Sequence, residues 1–177
     1  MKSSFKKLAD LTIAVCRLKK ETKLSVLNYH TVDLSEISTL THLEELFISF
    51  DGDIELPIDI TPLSNLVNLT TLKLDLVDVK LTDIIPLSKL VNLTILEIVG
   101  YCNEINDLTP LSKLVNLTKL DISFNQITDL TPLSKLVNLT ELDISENKIT
   151  DFTPLSKLVN LKNSNGDMPY LYPLQAL

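Results

Sequence analysis

Short stretches in which apolar and polar residues alternate recur along this chain. In one of them, Leu142 and Ile144 alternate with the polar residues Glu141, Asp143 and Ser145. A two-residue period is that of a β-strand with one buried side, so each stretch predicts a short strand. One such strand buries too little surface to form a core alone, and it must stack on neighbouring copies.

Between these strands, a second pattern predicts a short helical turn. Thr153 precedes Pro154, which suits a threonine N-cap followed by a proline at the first helical position. Leu155 and Leu158 are then expected to face inward. The same pair recurs at Thr61-Pro62, Thr109-Pro110 and Thr131-Pro132. One further unit keeps its proline, Pro86, but has no threonine cap before it.

A repeated leucine marks the start of each unit. It stands at Leu18, Leu40, Leu66, Leu90, Leu114, Leu136 and Leu158, so six complete units of 22 to 26 residues follow one another. Two units, LVNLTKLDISFNQITDLTPLSK and LVNLTELDISENKITDFTPLSK, are nearly identical. Stacked units of this length predict an α/β solenoid with a concave parallel sheet and short helical or 3-10 turns on the convex side.

An asparagine after the strand completes the repeated motif. Asn103, Asn125 and Asn147 stand where an amide can bond backbone groups of adjacent turns that would otherwise be buried unpaired. With them, the pattern LxxLxLxxNxIxDLxPLxxL resembles the internalin-like, short-repeat branch of the leucine-rich-repeat family. The resemblance implies recognition of proteins through the concave face, often by bacterial proteins that engage host or cell-surface proteins.

The two ends of the chain predict covers for the terminal turns. Residues 1–17 are expected to form an N-terminal helical cap, and residues 18–161 the leucine-rich-repeat domain of six complete repeats and a partial seventh. Apolar residues recur in the first segment at helical spacing, at Phe5, Leu8, Leu11 and Val15. The apolar tail, residues 162–177, either covers the last turn or stays exposed and joins two copies.

The outward positions of the strands, together with residues inserted after the second, third and fourth strands, are the candidate binding surface. Its candidate residues are Phe47, Lys73, Asp75, Ile95, Glu97, Val99, Tyr101, Lys119, Asp121, Phe124, Glu141 and Asp143. Phe47, Ile95 and Val99 break the polar pattern, and exposed aromatic side chains such as Tyr101 often anchor interfaces. In the alternative interpretation, Phe47 and Phe124 fold back over the rim.

Composition narrows the class of partner. The net charge of -7 opposes binding to nucleic acid or to an anionic membrane surface. Asp51, Asp53 and Glu55 supply possible calcium ligands, but without a full loop signature a solvated acidic loop is favoured. With only His30 and His42 as histidines, and no metal-ligand cluster or enclosed pocket expected, we predict neither enzymatic activity nor a cofactor.

Two features bear on the cellular compartment. Cys16 and Cys102 lie about three repeats apart, too far for a disulfide, and two free thiols suit a reducing compartment. Lysines precede an apolar stretch near the start, as in a secretory signal, but Asp10 interrupts it. A cytoplasmic location is favoured, secretion or display at the cell surface stays open, and no membrane insertion is expected.

Three functions are compatible with these patterns. The first is a module that binds a protein partner through the concave face and its inserted edge. The second is a structural repeat protein that self-assembles through its C-terminal tail, as a homo-oligomer. The third is an intracellular regulatory scaffold resembling short-repeat phosphatase regulators, which the proline-containing convex turn fits less well.

Overall fold

In the computed structural model, which describes residues 12–29, 33–50, 57–76, 79–101 and 103–162, six parallel strands lie side by side in sequence order. They are β1 (Lys23–Tyr29), β2 (Glu45–Phe50), β3 (Thr71–Leu76), β4 (Ile95–Val99), β5 (Lys119–Asp121) and β6 (Glu141–Asp143). Pairing aligns equivalent leucines, so that Leu72 lies between Leu46 and Leu96. Stacked leucines of successive units therefore form one continuous core.

A 3-10 helix follows each strand on the opposite side of the core. The six are η1 (Ile37–Thr39), η2 (Thr61–Asn65), η3 (Ile85–Lys89), η4 (Thr109–Lys113), η5 (Thr131–Lys135) and η6 (Thr153–Lys157). Leu155 and Leu158 are buried, as their spacing predicts. The α/β class, the parallel sheet and the short convex turns expected from the sequence are confirmed.

The predicted threonine N-cap is wrong, because the capping oxygen comes from an aspartate two residues earlier. Thr153 is itself the first residue of η6, and its N–H donates to Asp151 Oδ1 at 2.8 Å. Asp83 accepts from the N–H of Ile85 at 2.7 Å in the same way. The unit that lacks the threonine therefore keeps its cap. The aspartate that recurs two residues before the start of these turns is the sequence feature that predicts this cap.

We expect these capping aspartates to make folding sensitive to acid. Hydrogen bonds from Thr109 and Thr131, first through the hydroxyl and then through the N–H, hold the pKa values of Asp107 and Asp129 below their ordinary range. A carboxyl whose pKa is depressed by folding contributes stability above its unfolded pKa of about 3.9, and the contribution disappears as the pH falls through the folded pKa.

We expect the free energy of unfolding, measured in urea, to fall as the pH is lowered below about 4. The double variant Asp107→Asn/Asp129→Asn keeps the capping oxygens but cannot be protonated there, so its fall should be shallower. The matched control is Glu44→Gln/Glu146→Gln, which removes two negative charges away from the caps. An equal change in both variants would attribute the acid sensitivity to net charge.

The asparagines after the strands join adjacent turns, as predicted. Asn125 Nδ2 donates to the carbonyls of Ile122 (3.0 Å) and Ser123 (2.9 Å), and its Oδ1 accepts from the N–H of Ile105 in the preceding turn (3.1 Å). Asn147 accepts equivalently from Ile127 at 3.0 Å. Each amide thus satisfies backbone groups that the stacking of turns removes from water.

The first turn differs from the register expected for it. Residues 12–19 are helical, and Ile13 and Cys16 pack into the common core. Leu18, which the leucine spacing predicts to open the first unit, is instead 84% exposed, because the helix directs it to solvent. The first buried leucine of that unit is Leu24. Burial raises the pKa of the free Cys16 thiol.

Several sequence-based interpretations fall on residues outside the described ranges and stay predictions. They concern the N-terminal cap before residue 12, His30, the acidic stretch of Asp51, Asp53 and Glu55, the thiol of Cys102, and the tail from residue 163 as a cap or a site of self-association. In the part of the chain that is described, none of the helices is long and apolar enough to cross a membrane.

Candidate functional site

The outward side chains of the six strands share one side of the sheet, which we call the concave face. It comprises Lys23, Ser25, Leu27, Glu45, Phe47, Ser49, Thr71, Lys73, Asp75, Ile95, Glu97, Val99, Lys119, Asp121, Glu141 and Asp143. Because the strands pair in register, residues at equivalent positions lie beside one another. The side chains of the concave face therefore form rows that run across the strands.

A ladder of ion pairs crosses the middle of this face. Lys73 Nζ lies 2.9 Å from Glu97 Oε2, and Lys119 Nζ lies 2.9 Å from Glu97 Oε1. Lys119 also lies 3.4 Å from Glu141 Oε2. The structure thus brings four of the candidate residues together, and each charge is opposed by at least one of opposite sign.

The ladder stabilises the charged forms of Glu97 and Lys119. Burial by itself raises the pKa of Glu97, but the hydrogen bonds from Lys73 and Lys119 outweigh it, so the pKa lies below the ordinary value. The hydrogen bond to Glu97 raises the pKa of Lys119 in turn. Lys23 forms a separate pair with Glu45 at 2.7 Å. All three lysines of the concave face are thereby neutralised by its three glutamates.

The three aspartates of the concave face are bonded differently. Each accepts a hydrogen bond from a serine hydroxyl: Ser49 Oγ to Asp75 (3.2 Å), Ser123 Oγ to Asp121 (2.8 Å) and Ser145 Oγ to Asp143 (2.6 Å). No lysine or arginine of the described residues forms an ion pair with them. Among the described residues, the concave face therefore keeps three carboxylates that no cation pairs with.

An aromatic pair lies just beyond the ends of β4 and β5. The rings of Tyr101 and Phe124 meet edge to face, with centroids 4.9 Å apart and planes at 75°. Phe124 has a positive φ of 57°, and its N–H donates to the carbonyl of Ser145 at 3.0 Å. Tyr101 remains 78% exposed, so the pair presents apolar surface to solvent.

The apolar cluster expected from the sequence is only partly assembled. Phe47 lies between Ser25 and Lys73 in the strand register, whereas Ile95 is two strands away in a different row. Val99 is closer to the aromatic pair, two residues before Tyr101. The expected single patch is thus a half-buried phenylalanine on β2 and a separate group around Tyr101.

The inserted edge also differs from the expectation. Phe50 and Val79, at the borders of the first two insertions, are buried in the core. Residues 51–56, 77–78 and 102 lie outside the described part of the chain. Tyr101, from the insertion of the fourth unit, is the exposed insertion residue among those described.

A shallow open groove runs past the starts of the strands and was not expected from the sequence. It is lined by His42, Glu44, Asn68, Thr70, Asn92, Thr94 and Asn116. Asn68, Asn92 and Asn116 donate from Nδ2 to carbonyls of the preceding turns. The groove is therefore scaffold, and His42 occupies an asparagine position in it, as the repeat alignment predicts. Within the described ranges, no three His, Cys, Asp or Glu side chains are grouped to hold a metal ion.

Comparison with known proteins finds similarity to the leucine-rich-repeat family and to internalins. A family model described as Leucine Rich repeats (2 copies) matches residues 115–163. An internalin (inlF) from Listeria monocytogenes has 33% sequence identity and a TM-score of 0.71, over 87% of this chain and 47% of its own. The present chain thus spans about half the length of that protein.

Two further solved structures extend the comparison. An internalin C2 (inlC2), also from Listeria monocytogenes, has 31% identity and a TM-score of 0.56, and the match covers 81% of this chain and 80% of that one. A plant peptide hormone receptor, RGFR1 in complex with RGF2, has 25% identity and a TM-score of 0.58 over 78% of this chain and 22% of its own. The comparison with curated protein sequences gives no significant match.

Proposed function

This chain belongs to the internalin-like branch of the leucine-rich-repeat family, and we propose that it is a module that binds a protein partner through the concave face. The supporting observation is an open sheet surface, six strands wide, that ends in the exposed Tyr101–Phe124 pair. Six strands about 4.8 Å apart span roughly 24 Å, which is enough to hold a segment of another protein.

The aromatic pair at the end of the concave face also supports binding. Aromatic side chains contribute strongly to protein interfaces, and Tyr101 is held beside Phe124 at the edge of a rigid sheet. Placing an anchor on a rigid support lowers the entropy lost on association. The plant peptide hormone receptor RGFR1 was solved in complex with RGF2, and we propose that this chain likewise binds a polypeptide.

The relatives bear on the other candidate functions. The internalin-like family is generally non-enzymatic, so we do not propose catalysis for this chain. Self-assembly through the C-terminal tail and a role as an intracellular regulatory scaffold stay predictions from the sequence, since no observation on the described residues favours either over the binding module.

The experiment compares two double variants placed close together along the chain. Ile95→Arg/Val99→Arg places two large cations on the concave face. Its matched control, Ile85→Arg/Val91→Arg, makes the same replacements at side chains that are 62% and 45% exposed away from that face. The two variants have the same composition and net charge, and circular dichroism with urea unfolding establishes that both remain folded.

Binders are first selected on the wild-type chain from an unbiased display library of random peptides and small folded domains. We expect the selected clones to bind the control variant as they bind the wild type, and to lose about tenfold or more in affinity for Ile95→Arg/Val99→Arg. Clones that lose affinity only for the control variant, or a library that yields no specific binder, would contradict the proposal.

A further inference from the structure

We infer that the polypeptide segment bound by the concave face is basic, with an arginine or lysine placed next to an apolar side chain. The cation would lie against Asp121 and Asp143, and the apolar side chain against Tyr101 and Phe124. This inference rests on the proposed function, because it names the chemistry of the partner at the same surface.

The first argument is the division of charge on the concave face. Its lysines are all engaged by Glu45, Glu97 and Glu141, at distances between 2.7 and 3.4 Å. Each aspartate has instead a serine donor and no cationic partner among the residues described. A partner therefore meets a surface with unmatched negative charge, and complementary charge favours both fast association and correct register.

The second argument is the position of two of these aspartates. Asp121 and Asp143 are direct partners in the parallel register of β5 and β6, where neighbouring strands lie about 4.8 Å apart. Like charges placed opposite each other on adjacent strands repel. A cation seated between the two carboxylates would remove that repulsion. The pair is therefore expected to bind a positive ligand more tightly than either aspartate would alone.

The third argument is the direction of the serine bonds. Ser123 and Ser145 each donate both their N–H and their hydroxyl to Oδ1 of the aspartate two residues earlier. Oδ2 of both aspartates receives no hydrogen bond from any described residue. The carboxylates are thus held in place by one oxygen and present the other, and a guanidinium group can donate to two such oxygens at once.

The aromatic pair supplies the second half of the site. Phe124 follows Asp121 by three residues, and its N–H is bonded to the carbonyl of Ser145, the residue that also orients Asp143. The Tyr101 ring is the exposed member of the pair. An apolar side chain next to the bound cation can pack on this ring, and arginine itself can stack on an aromatic face.

The test uses two display libraries of short peptides that differ in one respect. One has arginine fixed at two alternate positions, the other has glutamate at the same positions, and all other positions are randomised. We expect the arginine library to give binders at least about tenfold tighter than the best from the glutamate library, with affinity that declines as salt is added. Equal affinities from the two libraries would overturn the inference.

A pair of variants then locates the contact. Asp121→Asn/Asp143→Asn should reduce the affinity for purified arginine clones about tenfold or more. Asp107→Asn/Asp129→Asn removes the same two charges from the convex side and should leave the affinity unchanged. An equal loss in both variants would show a general effect of net charge and overturn the site. These titrations contain EDTA, which removes calcium. Clones that bind only in a separate titration with excess calcium would overturn the inference as well.

The two proposals fail in different ways. If selected clones lose affinity for Ile95→Arg/Val99→Arg but show no preference for arginine, the concave face binds proteins and the basic partner is wrong. If the clones are indifferent to Ile95→Arg/Val99→Arg, the proposed function itself is wrong.

Discussion

Replacing Asn125 with alanine should lower the free energy of unfolding by about 3 kcal/mol, because the amide satisfies three backbone groups inside the solenoid. The side chain is buried, and its loss leaves the N–H of Ile105 and the carbonyl of Ser123 without this partner. The carbonyl of Ile122 still accepts from Asn147 at 3.1 Å, so we do not count its full cost.

Urea unfolding of the purified chain measures this effect, with Asn106→Ala as the control. Asn106 is exposed and lies in the same unit as Asn103, and replacement of an exposed residue usually changes stability by less than about 0.5 kcal/mol. A loss below 1 kcal/mol for Asn125→Ala would mean that water replaces the amide and that the asparagines are not required to join the turns.

Replacing Gly100 with alanine should lower the free energy of unfolding by about 2 kcal/mol, through overpacking. A Cβ at this buried position would stand 2.5 Å from the carbonyl oxygen of Leu76 and 2.9 Å from its Cβ. The nearest of these atoms, the carbonyl oxygen, belongs to the backbone at the end of β3, and the Cβ is fixed to that backbone, so neither can rotate away. We expect β3 and β4 to separate locally, and Tyr101, the next residue, to shift with them.

The neighbouring Val99→Ala is the control for this prediction, because it shortens an exposed side chain of the same strand. Hydrogen exchange should show faster exchange of amides at the ends of β3 and β4 in Gly100→Ala and little change in Val99→Ala. Unchanged exchange together with wild-type stability would show that the strand ends adjust without cost and that the close approach of the two backbones is not required.

The repeat made much of this architecture predictable from the sequence. Each turn contacts mainly its two neighbours, so a pattern of one unit specifies the surroundings of every equivalent position. The inward direction of Leu142 in β6 and of Ile144 just after it, the role of Asn125 as a backbone partner, and the proline turn could therefore be predicted without knowledge of distant contacts. The inward leucine pattern predicted the core for the same reason.

The repeat was less informative where a residue could serve the same purpose in two ways. Both Thr153 and Asp151 recur in front of the convex turns, and a threonine before proline is a common helix start. Only the backbone path shows that the aspartate oxygen reaches the first N–H. Leu18 fitted the spacing of the repeated leucines, but it belongs to a helix rather than to a stacked turn, and its burial differs accordingly.

By itself, the sequence determined the stacking of units, the parallel sheet, the asparagine hydrogen bonds between turns and the side of each strand that faces outward. These features depend on the repeat period and on nearest neighbours. Tertiary structure alone decided which outward residues meet. Lys119 bridges Glu97 and Glu141 across three strands, and Tyr101 reaches Phe124 of the next unit. Such contacts depend on register, side-chain direction and unequal unit lengths, which a linear pattern does not specify.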